Sequence, residues 1–238
     1  MIIHRLIARH LKHGDDAEFY RLQGDDAINW LIKQSVALGP QTRALDLGCG
    51  HGIFGRLLTE HGCPVTYADQ EKQLAPDLSS EPFIAIDLDH DSFAKLGQHN
   101  LVICSNVLEH LANPDRFLAE CRSILLPGGH LYLSWTNWLS PWGGHDFSPF
   151  HYFGPHTGHR IYDRLIKKKR IHTPFKTLYP TYIGDILQKI AHLDGLEVVR
   201  TIPRYYAEFA FLMKIPWLRE FTAWNCAMLI RRTDSSAN

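Results

Sequence analysis

The segment from Arg43 to Gly55 combines a short apolar run, an acid and closely spaced glycines, which are the parts of a nucleotide-binding turn. Ala44-Leu45-Asp46-Leu47 reads as a buried strand, Gly48, Gly50 and Gly52 at alternate positions let the backbone turn tightly against a ligand, and Ile53 to Leu58 begins a helix. Gly50-x-Gly52-x-x-Gly55, with Asp69 downstream, also satisfies the bare dinucleotide fingerprint. Its register argues against a pyrophosphate, because Gly48 comes first and Asp46 stands two residues before it. A carboxylate at the strand tip repels phosphate and suits a ligand with cationic groups. S-adenosylmethionine, which carries an ammonium and a sulfonium and no phosphate, is such a ligand.

Asp46-Leu47-Gly48-Cys49-Gly50-His51-Gly52 resembles motif I of the class I S-adenosylmethionine-dependent methyltransferases. Val65-Thr66-Tyr67-Ala68-Asp69 resembles their second strand, and Phe83-Ile84-Ala85-Ile86-Asp87-Leu88 their third. Leu101 to Leu111, with Val107-Leu108-Glu109-His110-Leu111, resembles the fourth strand and following segment of the UbiE/UbiG-like group, and Pro127 to Leu133 the turn into the fifth. The resemblance is close over residues 41–135. It implies a Rossmann-like α/β fold with a seven-stranded, mostly parallel sheet, an antiparallel last strand and helices on both faces. It further implies that Asp69 holds the ribose hydroxyls and that Asp87 and Leu88 hold the adenine. Gly48, Cys49, Gly50, Gln70, Ser105 and Asn106 complete the expected cofactor contacts, and Tyr20, in Phe19-Tyr20-Arg21, could donate to the methionine carboxylate.

Methyl transfer from a sulfonium is an in-line displacement, so the chief task is to hold a nucleophile behind the methyl group away from water. Candidates for a general base are His145 and His151, with Asp146 as an orienting acid, while His110, beside the expected methyl position, is a catalytic-site candidate that could contact substrate or cofactor, line the pocket or cap the following loop. In quinone-precursor O-methyltransferases resembling this segment, two acids and a histidine can hold a divalent metal. Here Asn106 stands where the first acid should be, and the spacing of His145, His151, His156 and His159 matches no zinc pattern, so no metal is expected. The acceptor is expected to be an oxygen of a small molecule, a lipid precursor or a saccharide. A nicotinamide-dependent oxidoreductase and a non-catalytic cofactor-binding module are the competing readings.

These residues need a scaffold, and 238 residues with 45% hydrophobic content can bury one substantial core. Residues 1–40 read as an N-terminal helical cap, with Asp25-Asp26 opening a helix that Gly39-Pro40 ends, and residues 41–238 as the methyltransferase domain. From residue 42 strands and helices alternate, which argues for right-handed crossovers and a parallel sheet. Asn113, Pro114 and Asp115 open a helix with Phe117, Leu118, Cys121, Ile124 and Leu125 on one face, stopped by Pro127-Gly128-Gly129. Residues 136–180 break the alternation and read as a substrate-specificity insert. Leu196 to Pro203 and Asn225 to Arg232 read as the last strands, with the apolar run Phe209 to Leu218 packed between them and a membrane-surface role as its alternative.

Lys plus Arg equals Asp plus Glu at 25 each, which removes the electrostatic footprint of non-specific nucleic-acid binding. Lys167-Lys168-Lys169-Arg170 reads as a solvated basic loop or an anion contact. The five cysteines lack C-x-x-C spacing and read as reduced core thiols, and neither a signal peptide nor a membrane span is visible, so a cytoplasmic location is expected.

Overall fold

The computed structural model describes residues 1–14 and 16–233. Its centre is a seven-stranded sheet built from β1 (Ala44–Leu47), β2 (Val65–Asp69), β3 (Phe83–Ala85), β4 (His99–Ser105), β5 (Leu125–Thr136), β6 (Leu196–Pro203) and β7 (Asn225–Arg232). The strand order is β3-β2-β1-β4-β5-β7-β6. Only β7 runs against the others, pairing antiparallel with β5 and with β6. The chain leaves β1 toward β2 on one side and reaches β4 on the other, so the topological switch point lies between β1 and β4.

Successive residues of a strand face opposite sides, and both sides of this sheet are covered. Leu45, Leu47, Val102, Cys104, Leu131, Leu133 and Trp135 pack into one core with Phe117 and Leu118 of α4 (Pro114–Ile124) and Ile186 and Ile190 of α6 (Ile183–Ala191). Their neighbours Ala44, Tyr67, Leu101, Ile103 and Tyr132 join Ile28, Trp30 and Leu31 of α2 (Ala17–Lys33) and Leu57 and Leu58 of α3 (Ile53–Glu60) in a second core. Asp46 shares the α2–α3 side, which sets its partner. The five cysteines are all buried and free. Among the described residues no helix is long and apolar enough to cross a membrane.

Local signals explain most element ends. Asn113 accepts the Arg116 amide at 3.1 Å with Pro114 in the first turn of α4. The N-terminal helices are α1 (Ile3–His13) and α2, and here the expected start is corrected. Asp16, not Asp25, caps α2 by accepting the Phe19 amide at 3.0 Å, so Asp25-Asp26 lie inside the helix, and it ends at Lys33, ahead of Gly39. β5 starts immediately after α4, and Pro127-Gly128-Gly129 bulge out as the pairing passes from His99 with Leu125 to Leu101 with His130.

Residues 136–180 hold two short 3-10 turns, His145–Phe147 and Phe150–Phe153, and α5 (Gly158–Ile166). Trp138, Phe147, Tyr162 and Leu178 form a small core of their own in this segment. The apolar run after β6 differs from expectation. Pro203 pairs directly with Cys226, leaving no gap between the last strands. The run therefore forms a 3-10 segment, Arg204–Lys214, and α7 (Pro216–Thr222), with Phe209, Phe211, Trp217 and Phe221 exposed.

At Gly55 a Cβ would lie 2.2 Å from Tyr67 Cε1 and 2.6 Å from Cζ, and that ring is fully buried. Gly55→Ala is expected to cost about 1–3 kcal/mol through overpacking. Urea unfolding would show this as a lower midpoint at unchanged slope, and an unmoved midpoint would contradict the close contact.

Candidate functional site

The turn after β1 is held by the acids at the carboxyl ends of β1 and β2. Asp46 Oδ2 accepts the Gly55 amide and Asp69 Oδ2 the Gly50 amide, each at 2.8 Å, while Asp69 Oδ1 accepts the Gln70 amide at 2.7 Å. Gly48 and Cys49 donate their amides to the Ala68 carbonyl at 2.8 and 3.1 Å. Gly48 has φ 72°, and a Cβ on it would lie 2.4 Å from Val107 Cγ2, so the turn and the end of β4 approach as closely as glycine permits. Cys49 is buried and Gln70 exposed.

Asp46 sits differently from the sequence expectation. It is 3% exposed, and burial, only partly offset by the Gly55 amide, raises its pKa to about 7. Its carboxyl group braces the turn from behind instead of facing a ligand as an exposed charge, because period-2 alternation turns it toward the start of α3. Asp87, just beyond β3, keeps a half-buried carboxylate that accepts the Asp89 amide at 2.9 Å and pairs with His90 Nδ1 at 3.1 Å, with Leu88 buried beside it.

Across the switch point, Ser105 and Asn106 end β4. Asn106, with φ 56°, donates its amide to Gln23 Oε1 at 3.5 Å and accepts from Asn225 at 2.8 Å. Arg204, missed in the sequence, joins this group from the end of β6. It is 2% exposed, and its Nη1 lies 3.1 Å from both Ser105 Oγ and Ser134 Oγ and 3.4 Å from Asn106 Oδ1. Its Nη2 donates to the Gln23 carbonyl at 3.4 Å, and Phe54, Tyr132 and Tyr205 offer ring faces at 5.5–5.9 Å. Tyr20 lies one turn before Gln23 on α2, more than a third exposed. No local pattern marks Arg204, whose hydrogen-bond partners are 70 to 181 residues away.

The histidines are sorted unexpectedly. His110 and His145 come together with His172, one nitrogen of each lying within 4.8 Å of the others. His110 Nδ1 donates to the Thr177 carbonyl at 2.6 Å and His172 Nδ1 to Asp146 Oδ1 at 3.0 Å. Asp146 therefore orients His172, not the expected His145 or His151. Burial, followed by the neighbouring His110 and His172, lowers His145 to about 3, which makes it a weak base at neutral pH. His151 is a core residue: fully buried, it donates Nε2–H to the Ser140 carbonyl at 2.9 Å and packs on Trp138 and Tyr152. His156 stacks on Phe175, and His159 Nδ1 donates to the Pro155 carbonyl, so neither joins the cluster. In the basic loop, Arg170 is committed to Asp163 at 2.6 and 2.9 Å.

Folded Asp46 binds its proton more tightly than the unfolded carboxyl, whose pKa is about 3.9. Its stabilising contribution is thus greatest below that value and is lost as pH rises toward about 7, on the order of a few kcal/mol at most. Asp46→Asn keeps an acceptor for the Gly55 amide and is expected to flatten the fall in urea midpoint between about pH 5 and 7. A profile parallel to wild type would rule the effect out.

A family model described as a methyltransferase domain matches residues 4–201. A protein of Mycolicibacterium gilvum (strain PYR-GCK) named "uncharacterized methyltransferase" is 32% identical over 246 residues, covering 96% of this chain and 92% of its own. In fold the chain is similar to an S-adenosylmethionine-dependent methyltransferase from Mesorhizobium loti, with a TM-score of 0.58 and 19% identity over 88% of this chain and all of that one. It is also similar to magnesium protoporphyrin IX methyltransferase from Synechocystis PCC 6803, with a TM-score of 0.55 and 17% identity over 90% and 84%. With the family model spanning most of the chain and the sheet order and switch-point turn that its strands produce, the chain belongs to the methyltransferase family on the class I, Rossmann-like fold.

Proposed function

We propose that the protein transfers a methyl group from S-adenosylmethionine to an oxygen of a small acceptor with an apolar body, such as a lipid precursor. The observation that carries the oxygen assignment is the His110–His145–His172 cluster, which the insert folds back against the segment following β4. The glycine turn at Gly48, Cys49 and Gly50 lines the cofactor, with Asp69 and Gln70 at the ribose and Asp87 and Leu88 at the adenine. Ser105, Asn106 and Tyr20 serve the methionine end. Asn106 precedes His110 by only four residues, which supports reading the cluster as the methyl side of that arrangement. An acceptor hydroxyl held by the imidazole nitrogens attacks the methyl carbon. The oxygen–carbon bond forms as the carbon–sulfur bond breaks, its electron pair stays on sulfur, S-adenosylhomocysteine leaves and the hydroxyl proton passes to solvent.

Exposed rings support an apolar acceptor. Trp142 of the insert packs at 4.6 Å on Trp224, and it is exposed together with Phe209, Phe211, Trp217 and Phe221 of the β6–β7 connection. Both segments leave the carboxyl edge of the sheet, where ligands of open α/β sheets bind. This favours an amphiphile over a saccharide, and weak contact with a lipid surface follows from the same rings.

Labelled S-adenosylmethionine and a panel of hydroxylated amphiphiles test the reading. His172→Ala is expected to lower turnover at least about tenfold with the cofactor Kd changed less than about twofold, because it removes only an acceptor contact. Full turnover in this variant, or product mass placing the methyl on nitrogen or carbon, would refute the oxygen assignment. Saturable NADH binding without S-adenosylmethionine binding would restore the oxidoreductase reading.

A further inference from the structure

We infer that His110, His145 and His172 form a binding site for one divalent transition-metal ion of the zinc class. The three side chains come from separate places: the 3-10 turn Leu108–His110 after β4, the turn His145–Phe147 of the insert, and the insert's return strand of chain before Leu178. Their nearest nitrogens lie within 4.8 Å of one another. Nitrogens bound to zinc at about 2.0–2.1 Å in a tetrahedron are about 3.4 Å apart, so small side-chain rotations close the set.

Hydrogen bonding has already assigned the tautomers. The Thr177 carbonyl and the Asp146 carboxylate can only accept, so His110 and His172 carry a proton on Nδ1, and in the neutral ring that a metal binds this leaves Nε2 as the lone-pair nitrogen. Metal-ligating histidines are typically held this way, with the second ring nitrogen donating to a carbonyl or carboxylate. Asp146 is itself fixed, accepting the Ile171 amide at 2.6 Å and the His172 amide at 3.3 Å. His145 is held at φ 49°, a backbone conformation uncommon for a residue with a side chain, and its Nδ1 is buried without a hydrogen-bond partner. Simple packing of three rings needs none of these arrangements.

The donors also choose among metals. Three neutral imidazoles suit zinc, cobalt, nickel or copper, whereas magnesium and calcium require oxygen ligands. This set differs from the acid-acid-histidine set of the quinone-precursor enzymes, since Asn106 replaces one acid and Glu109 turns its Oε1 to the Thr136 amide at 2.9 Å. Three protein ligands leave a fourth position open, as in catalytic zinc sites. Use of that position for an acceptor oxygen rests on the function proposed above. Metal uptake is measured without cofactor or acceptor, so the two can fail separately.

The full chain, stripped with chelator and dialysed, is titrated with Zn²⁺ by calorimetry and with Co²⁺ by visible absorption. One Zn²⁺ per chain and the absorption of tetrahedral Co²⁺ are expected. His145→Ala and His172→Gln should each weaken zinc binding at least about 100-fold, and Asp146→Asn, which replaces the carboxylate that accepts from the His172 ring, about 10–100-fold. His156→Ala, outside the cluster, should bind zinc as wild type does. Failure of the wild-type protein to take up Zn²⁺ overturns the site whatever the variants do. So does uptake that survives both His145→Ala and His172→Gln. Urea midpoints of the variants without metal separate lost ligation from lost fold, and Asp146→Asn supplies the decisive comparison if an alanine variant is unstable.

Discussion

The end of the sheet depends on one buried cation. Arg204 has almost no exposure, and among the described residues no carboxylate stands within ion-pair distance of it. Its two terminal nitrogens meet two serine hydroxyls, a backbone carbonyl and an asparagine oxygen, three aromatic rings face it, and its Nε is buried without a hydrogen-bond partner. Apart from the adjacent Tyr205 and Asn106 just past β4, those partners belong to α2, β4, β5 and the start of α3, while Arg204 itself follows β6. A guanidinium cannot lose its proton to escape burial, so these groups must stay in place around it. Helix α2, the switch-point strands and the last strand pair are therefore locked together at the carboxyl edge of the sheet.

Against this lock, the carboxylates of the first two strands work as scaffolding before they meet any ligand. Asp46 and Asp69 each accept an amide of the glycine segment, from Gly55 and Gly50, which pins a turn whose backbone would otherwise be free to sample many conformations. Asp46 is buried enough to hold its proton near neutrality, whereas Asp69 and Asp87 remain partly open. Burial thus separates Asp46, a brace only, from Asp69, which braces the turn while staying partly open, and from Asp87.

Residues 136–180 build a small hydrophobic cluster apart from the two cores of the sheet. This core of Trp138, Phe147, Tyr162 and Leu178 lets the segment hold His145 and His172 in fixed positions, and the Thr177 carbonyl and Tyr179 amide tie it to His110 and the Glu109 carbonyl. His151 serves that core as an interior donor. The core therefore decides which histidines of this segment are packed inside it and which gather beside His110.

Sequence alone determined what is local. The strand-turn-helix at Ala44 to Leu58, the cap and first turn of α4, and the limits of β6 and β7 follow from apolar periodicity, glycine spacing and capping residues within about a dozen positions of one another. The start of α2, expected at Asp25-Asp26, lies instead at Asp16, whose side chain accepts the Phe19 amide. Tertiary structure decided the rest: Arg204 with partners up to 181 residues away, His172 joining His110, Asp46 behind the turn, and aromatic rings after β6 left outside the strands. Each of these depends on which distant groups share a buried volume. Burial and hydrogen-bond satisfaction are properties of the packed chain, and no neighbouring residues in the sequence record them.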